Sequence, residues 1–361
     1  MVYLIPIQYA LMVFPFAAFL FSLPFLFYQY YTYGYINRIR AFVLYALVLY
    51  VLTAYFLVIL PLPDTRDTCS TLSTDRLLLQ TDMFHFISVI SPHFEGSPTD
   101  PATYLRLVTE PTFLQVFFNI CLLVPFGMLL RYYFRRKWLR TAAFSFVLSL
   151  FFELSQLSGL YGIYHCPYRL FDVDDLLMNT LGGVLGYWLA PVLTRFLPDT
   201  RTLDEDVDLD TYPVGFVRRF LAFLIDAVVL SMPSAALLYM QQAPLILLLF
   251  ALYFIVLNYG TNGSTVGKRW LRIQLHGPEA HLSWKGLCIR YGLIFGVWGG
   301  SHVPLLIYDL ADWPVPFTIL YLSILFLMNV VVVIDLLSRI YRPKKRMLYE
   351  KLSGTSYRIR S

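Results

Sequence analysis

The sequence predicts an all-α, polytopic membrane protein with about nine transmembrane helices, its N-terminus outside and its C-terminus in the cytoplasm. Three observations predict this class: nine long apolar segments, a low content of charge, and an uneven distribution of basic residues. The chain is 58% hydrophobic and only 14% charged, whereas soluble domains are about 25% charged. A helix needs about 20 apolar residues to cross roughly 30 Å of hydrocarbon. The apolar segments lie at residues 4–31, 41–62, 112–130, 138–158, 175–197, 216–240, 243–259, 287–308 and 315–338.

The basic residues divide the connections between these segments into two classes. Most of the 28 Lys and Arg residues lie in alternate connections and in the C-terminal tail. The other connections hold only Arg66, Arg76, Arg106 and Arg169. Because cytoplasmic loops carry the excess of basic residues, this bias predicts the orientation. The basic residues behind the net charge of +5 then lie against the anionic lipid of the plasma membrane. They do not indicate a nucleic-acid partner.

The chain divides into two halves at an acidic stretch. Residues 198–212 contain six acids and few apolar residues, which is typical of a solvated linker. We therefore expect a five-segment domain over 1–197 and a four-segment domain over 213–361. The longest connection, 63–111, is predicted to lie outside, and its apolar patch from Phe84 to Ile90 favours an interfacial helix or a lid.

The four cysteines predict little about the fold. Cys121 and Cys288 lie within apolar segments and are expected to behave as small apolar residues. Cys69 and Cys166 both fall in predicted outer connections, where an oxidising compartment would allow them to pair. The sequence gives no distance between them, so both outcomes stay open.

Polar residues accumulate in the first half where a membrane span should exclude them. Glu153 and Gln156 are three residues apart on one helical face, and Arg169 is the natural partner for a buried Glu153. The glycines at 182, 183 and 186 would allow another helix to approach closely. Two interpretations are open: a buried network that fixes the register of the bundle, or an outward-facing site for a polar ligand or a proton. The candidate residues are Asn119, Glu153, Gln156, Arg169, Asp172, Asp174, Asp175 and Asn179.

The same residues resemble the motifs of the VanZ-like membrane family. The similar stretches are NICLLVPFG from Asn119 to Gly127, ELSQ from Glu153 to Gln156, and RLFDVDDLLMNTLGG from Arg169 to Gly183. The resemblance covers about residues 40–197. It implies an integral protein of the bacterial cell envelope, since members are associated with resistance to teicoplanin and related glycopeptide antibiotics in Gram-positive bacteria.

The second half carries a different set of charges. Arg219 and Asp226 are seven residues apart, nearly two helical turns, so they lie on one face. Asp335 is predicted to be the other buried acid of this half. The stretch from Gly263 to Lys268 is not a Walker A loop, because Asn262 and Arg269 stand where that motif needs Gly and Ser or Thr. Ile273–His276, a Gly277-Pro278 turn and 281–284 suggest a β-hairpin.

This half resembles the RDD family, over roughly residues 213–360. Tyr349-Glu350 replaces the family's His-Asp pair, which keeps a carboxylate but removes a titratable imidazole. Because some RDD proteins are linked to cation/proton exchange, the resemblance implies a transport role as one alternative. The residues assigned to the family motif are Arg219, Asp226, Gly263, Thr265, Gly267, Lys268, Arg290, Asp335 and Glu350.

No catalytic motif is evident in the sequence. The six histidines are scattered, and neither an H-E-x-x-H zinc motif nor a G-x-S-x-G elbow is present, so we lean towards a non-enzymatic protein without metal or cofactor. The favoured function is an envelope protein that alters access of glycopeptides or lipid-linked cell-wall precursors at the outer leaflet. The alternative is a transporter or cation/proton exchanger that uses intramembrane Glu153, Asp226 and Asp335. The ligand and the oligomeric state stay open.

Overall fold

The computed structural model divides the chain into two compact units. The first consists of Met1–Ser22 and Asn37–Leu203, and the second of Leu23–Ile36 and Asp204–Ser361. Parts of the predicted outer connection 63–111 and of the linker 198–212 lie outside the described residues. The structure describes residues 4–69, 79–94, 108–200, 202–205, 207–209, 212–279, 281–341 and 346–360.

Helices dominate both units. The first unit contains most of α1 (Leu4–Thr32), then α2 (Arg38–Ile59), α3 (His85–Ile90), α4 (Pro111–Tyr132), α5 (Trp138–Leu157) and α6 (Val173–Leu193). The second contains α7 (Phe216–Tyr239), α8 (Pro244–Gly260), α9 (Val266–Trp270), α10 (Trp284–Tyr291), a π-helix (Gly292–Gly299), α11 (Val315–Tyr341) and α12 (Leu348–Ser353). Short helical turns lie at Gly159–Gly162, Gly300–His302 and Pro304–Ile307, and 3₁₀ turns at Ser91–Phe94, Thr194–Phe196, Thr202–Asp204 and Leu310–Asp312.

Among the described residues, six helices are long and apolar enough to cross a membrane, so the chain is a multi-pass, all-α membrane protein. The other three predicted segments are helical but differ from simple spans. Helix α6 carries Asp174 and Asp175 in its first turn, α8 has only 17 residues, and the eighth segment is broken into α10, the π-helix and two short turns. The six are Leu4–Thr32, Arg38–Ile59, Pro111–Tyr132, Trp138–Leu157, Phe216–Tyr239 and Val315–Ser338.

Glycines let α4 and α6 pack with their backbones in contact. A Cβ atom added at Gly127 would lie 1.8 Å from the carbonyl oxygen of Gly183, and one added at Gly186 would lie 2.0 Å from that of Val124. Such distances leave no room for any side chain, and helices in membranes use small residues in this way. The close contact positions the polar ends of both helices.

We expect Gly127→Ala to destabilise the protein by roughly 1–3 kcal/mol, the usual range for overpacking. Gly260→Ala is the matched control, since a Cβ at Gly260 meets open space and alanine favours a helix. Thermal unfolding of the purified variants measures both effects. Equal unfolding temperatures for Gly127→Ala and wild type would contradict the close packing.

Cys69 and Cys166 form a disulfide, with Cα atoms 5.1 Å apart. The two segments are joined further, because Thr68 Oγ1 donates to the carbonyl oxygen of Cys166 at 2.6 Å and His165 N donates to that of Arg66 at 3.1 Å. Disulfides persist in oxidising compartments. The pair therefore agrees with an outer position for both connections.

The predicted orientation can be tested with single cysteines introduced at Asp82 and at Lys285, two exposed positions. In a background with Cys121 and Cys288 changed to serine, a cysteine at 82 should react with an impermeant thiol reagent in intact cells. A cysteine at 285 should react only after the cells are opened, because basic loops stay in the cytoplasm. The reverse labelling pattern would contradict the predicted orientation.

The predicted hairpin of the second unit is wrong. Ile273–His276 (β3) pairs antiparallel with Ser356–Ile359 (β4) near the C-terminus, with Ile273 opposite Ile359. Residues 281–284 do not form its partner strand, because Ser283 is the N-cap of α10 and Leu282 packs in the core with Leu275. The first unit has a smaller parallel pair, Leu79–Gln80 (β1) with Phe171–Asp172 (β2).

Several described residues of the acidic 198–212 stretch contact other parts of their own structural unit. Tyr35 donates a hydrogen bond to Asp204, Asn37 Nδ2 donates to the carbonyl oxygen of Leu203 at 3.1 Å, and Leu209 contacts a buried core. Tyr35 and Asp204 both belong to the second unit, as Asn37 and Leu203 do to the first. These contacts hold the stretch more closely than a fully solvated linker would be held.

Candidate functional site

The first unit brings carboxylates together at the start of α6. Asp172 is the N-cap of this helix, and its Oδ1 accepts from Asp174 N at 2.8 Å. Asp174 and Asp175 occupy the first turn, where the helix dipole stabilises negative charge. Glu153 on α5 is 2% exposed, and its Oε2 accepts from Asp172 N at 3.1 Å. We call the eight predicted residues the outer polar cluster: Asn119, Glu153, Gln156, Arg169, Asp172, Asp174, Asp175 and Asn179.

Asp175 joins this helix start to α4. Its Oδ1 accepts from Asn119 Nδ2 and, at 3.3 Å, from Gln115 Nε2. The contact depends on the close packing of α4 and α6, since a short amide side chain reaches the carboxylate only when the helix backbones touch. Asn119 therefore has a specific partner that explains a polar residue in an apolar span.

Asp174 holds a segment of the outer connection. Its carboxylate accepts from the backbone N–H groups of Phe84 and Phe86, at 2.6 and 3.1 Å, and it is 3% exposed. Helix α3 begins directly after Phe84. The apolar patch predicted as an interfacial helix or a lid is thus a short helix whose start is fixed to the outer polar cluster.

Arg169 does not form an ion pair with Glu153 in the described part of the structure. Its Nη1 and Nη2 donate instead to the carbonyl oxygens of Val58 and Leu60, at 3.0 and 3.3 Å. Gln156 Nε2 donates to the same Val58 oxygen at 2.8 Å. Arg169 and Gln156 together therefore fasten the end of α2.

Asn179 lies one turn deeper, where its Nδ2 donates to Ser149 Oγ at 2.9 Å. The cluster as a whole carries four acids and one arginine, so its formal charge is negative. Burial raises the pKa of Asp172, and the carboxylate of Asp174 adds to the shift, while nearby His85 opposes it. Among the described residues, no group of three or more His, Cys, Asp or Glu side chains is arranged to hold a metal ion.

The second unit has its own polar cluster, built around Asp226. This carboxylate is fully buried and accepts from Tyr253 Oη at 3.0 Å, Thr265 Oγ1 at 2.5 Å and Gly267 N at 2.7 Å. Gly267 leaves no room for a side chain, because an added Cβ would lie 2.0 Å from the carbonyl oxygen of Ala222. Asp226 thus ties α7 to α8 and to the Gly263–Lys268 loop.

Lys268 is buried beside Asp226. Its Nζ donates to Asn258 Oδ1 at 2.6 Å and to Tyr291 Oη at 2.9 Å. Burial lowers the pKa of Lys268 to about 8. The Gly263–Lys268 loop therefore turns its lysine inward to the protein core.

Glu350, rather than Asp335, is the second deeply buried acid of this unit. Glu350 is 1% exposed, pairs with Arg219 Nη1 at 2.6 Å and accepts from Met347 N at 2.8 Å. Asp335 is only half-buried and accepts from Leu348 N at 2.8 Å. The C-terminal chain folds back onto the bundle, which a prediction based on spans could not anticipate.

Sequence reasoning missed several residues of this cluster. Arg218 is 1% exposed and donates to the carbonyl oxygens of Leu271, Gly34 and Arg272, at 2.7, 2.5 and 2.9 Å. Nothing in the Arg218-Arg219 pair indicates which residue is buried. Asn258, an amide in an otherwise apolar helix, was a signal that could have been used.

Two family models match the chain, one on each side of the acidic stretch 198–212. Residues 42–194 match the VanZ/LLP1 family model, and residues 213–354 match the RDD family model. Neither a curated protein nor a solved structure shows significant similarity to the chain.

Proposed function

Because the chain joins a VanZ-like domain to an RDD domain in one multi-pass membrane protein, we propose that it acts at the outer leaflet of the bacterial plasma membrane. The VanZ-like domain alters the access of glycopeptides of the teicoplanin type, or of lipid-linked cell-wall precursors, to the membrane surface. The RDD domain forms the C-terminal half, where Asp226 and Asp335 mainly order the helical bundle. No covalent chemistry is assigned to either domain.

The observation that supports this proposal most directly is the outer polar cluster. Its acids converge at one end of α5 and α6, beside segments that the charge bias places outside and that a disulfide joins. Retaining buried carboxylates in a membrane domain is costly unless they are used or well partnered. Their negative charge suits the N–H donors and cationic groups of a peptide-like ligand, which glycopeptides and the peptide part of cell-wall precursors both carry.

Cation/proton exchange is the alternative function. It would require Asp226 to load and release a cation, yet this carboxylate already accepts three hydrogen bonds from the protein. Asp335 accepts a backbone hydrogen bond that holds the start of α12. Both arrangements favour an ordering role for these acids, which is why exchange is the second candidate.

The two functions predict different results for the wild-type protein. Under the envelope proposal, the full chain expressed in a teicoplanin-susceptible Gram-positive host lowers susceptibility relative to an empty vector. Vesicles that contain the purified protein then show no cation-driven proton movement beyond that of protein-free vesicles. Unchanged susceptibility together with robust exchange would replace the envelope function by transport.

A further inference from the structure

The second unit contains an apolar cavity that the proposed function does not use. Its volume is about 680 Å³, within the roughly 300–1,000 Å³ typical of small-molecule sites. Side chains of α7, α8, the π-helix and α11 form the walls, for example Phe220, Phe250, Ile294 and Val332. Because α7 and α11 both have the length and hydropathy of membrane spans, a ligand with a hydrocarbon chain could reach the cavity from the bilayer.

One end of the cavity carries three basic side chains beside the acids Asp226 and Asp335. Arg219, Lys268 and Arg290 all line it, and all surround the ring of Tyr357, at 4.4, 5.6 and 4.7 Å from its centroid. Arg219 lies in the first turn of α7, which the charge bias places at the cytoplasmic side. The cavity therefore has a long apolar part and a basic end at the level of the inner leaflet.

The acids at this end are already occupied by hydrogen bonds. Asp226 accepts from three donors, and Glu350 accepts from Arg219 and from Met347 N. Asp335, which also lines the cavity, accepts from Leu348 N at 2.8 Å. Arg290 differs from these acids, because one of its hydrogen-bond donors is not satisfied within the described residues. Its Nη1 donates to Thr355 Oγ1 at 2.8 Å and its guanidinium lies over the ring of Tyr357, but its Nε is buried without a partner among the described residues.

The π-helix supports a ligand-binding role for the same place. Gly292–Gly299 forms eight residues of π-helix, and Leu293, Ile294, Phe295, Val297, Trp298 and Gly299 line the cavity. The π-helix is rare and is found frequently at functional sites, because it gives up regular α-helical hydrogen bonding. Here it borders the apolar cavity.

We propose that this cavity binds one anionic phospholipid of the inner leaflet. A hydrocarbon chain lies between α7, α8, the π-helix and α11, and the headgroup phosphate contacts Arg219 and Arg290. Anionic lipids are attracted to basic groups at the cytoplasmic surface, and guanidinium groups match phosphate geometry. This inference goes beyond the proposed function and concerns the other domain, so either one can fail without the other.

The test uses the purified full chain in detergent, mixed with phosphatidylglycerol or with phosphatidylcholine of the same chains, and native mass spectrometry to count retained lipid. We expect one phosphatidylglycerol to be retained in preference to phosphatidylcholine, and inorganic phosphate not to displace it. Equal retention of the two lipids, or complete displacement by phosphate, would overturn the proposal.

Two matched pairs of variants locate the bound lipid. Val332→Phe and Leu247→Trp fill the cavity, whereas Val333→Phe and Leu248→Trp change exposed neighbours that do not line it. The cavity variants should lose most of the retained phosphatidylglycerol, while the controls keep it. Equal retention in both members of each pair would assign the lipid to the outer surface of the bundle and overturn the proposal. If neither cavity variant is monodisperse, the wild-type comparison of the two lipids decides.

Discussion

Asp226→Asn is expected to reduce the yield of folded protein sharply and to lower its unfolding temperature. The carboxylate is fully buried and accepts three hydrogen bonds, from Tyr253, Thr265 and Gly267. An asparagine keeps only one acceptor oxygen and turns an N–H₂ group towards remaining donors. Hydrogen bonds to charged groups contribute about 1.5–3 kcal/mol, and removing one member of a buried charged arrangement costs about 3–5 kcal/mol. Size-exclusion profiles and thermal unfolding measure the loss.

Asp335→Asn is the control for this prediction. Asp335 is half-buried and its carboxylate accepts a backbone hydrogen bond from Leu348 N, which an asparagine oxygen can still accept. We expect a small change in stability there. If Asp226→Asn instead gave a normally folded protein that had lost cation-driven proton exchange, the ordering role of Asp226 would be wrong and transport would be favoured.

The spans were the part of the fold that the sequence predicted best. Apolar length and charge bias are local quantities, and helices occupy all nine predicted segments. The same local signals could not show that a π-helix breaks the eighth segment, because Gly292–Gly299 is as apolar as an ordinary span. They also could not pair β3 with β4, since those strands are about eighty residues apart in the chain and the pairing depends on how the C-terminal chain folds back.

The outer polar cluster was predictable in membership but not in bonding. Polar residues inside apolar segments identify Asn119, Glu153 and Asp175, because such residues are costly in a membrane. The partner of Asp174 was not predictable, since it is the backbone of Phe84 and Phe86 and any sequence supplies backbone N–H groups. Arg169 was expected to pair with Glu153, and it bonds carbonyl oxygens at the end of α2 instead.

Glu153→Gln removes one ionisable carboxyl group from the outer polar cluster. The glutamine has nearly the same volume, and its amide oxygen can still accept the hydrogen bond from Asp172 N that the carboxyl oxygen accepts at 3.1 Å. The folded protein should therefore keep close to wild-type abundance. Any loss of function then reports on the ionisable carboxyl group at this buried position, because the hydrogen bond to Asp172 N is kept.

The central claim is that the carboxyl groups of this cluster act on the outer-leaflet ligand, and teicoplanin susceptibility at equal membrane abundance tests it most directly. Wild type, Glu153→Gln and Asp64→Asn are compared in one susceptible host, where Asp64 is an exposed acid of the predicted outer connection. We predict that Asp64→Asn lowers susceptibility as wild type does, and that Glu153→Gln returns it to the empty-vector level. Protection by Glu153→Gln equal to that of wild type would contradict the claim and leave the cluster a structural network.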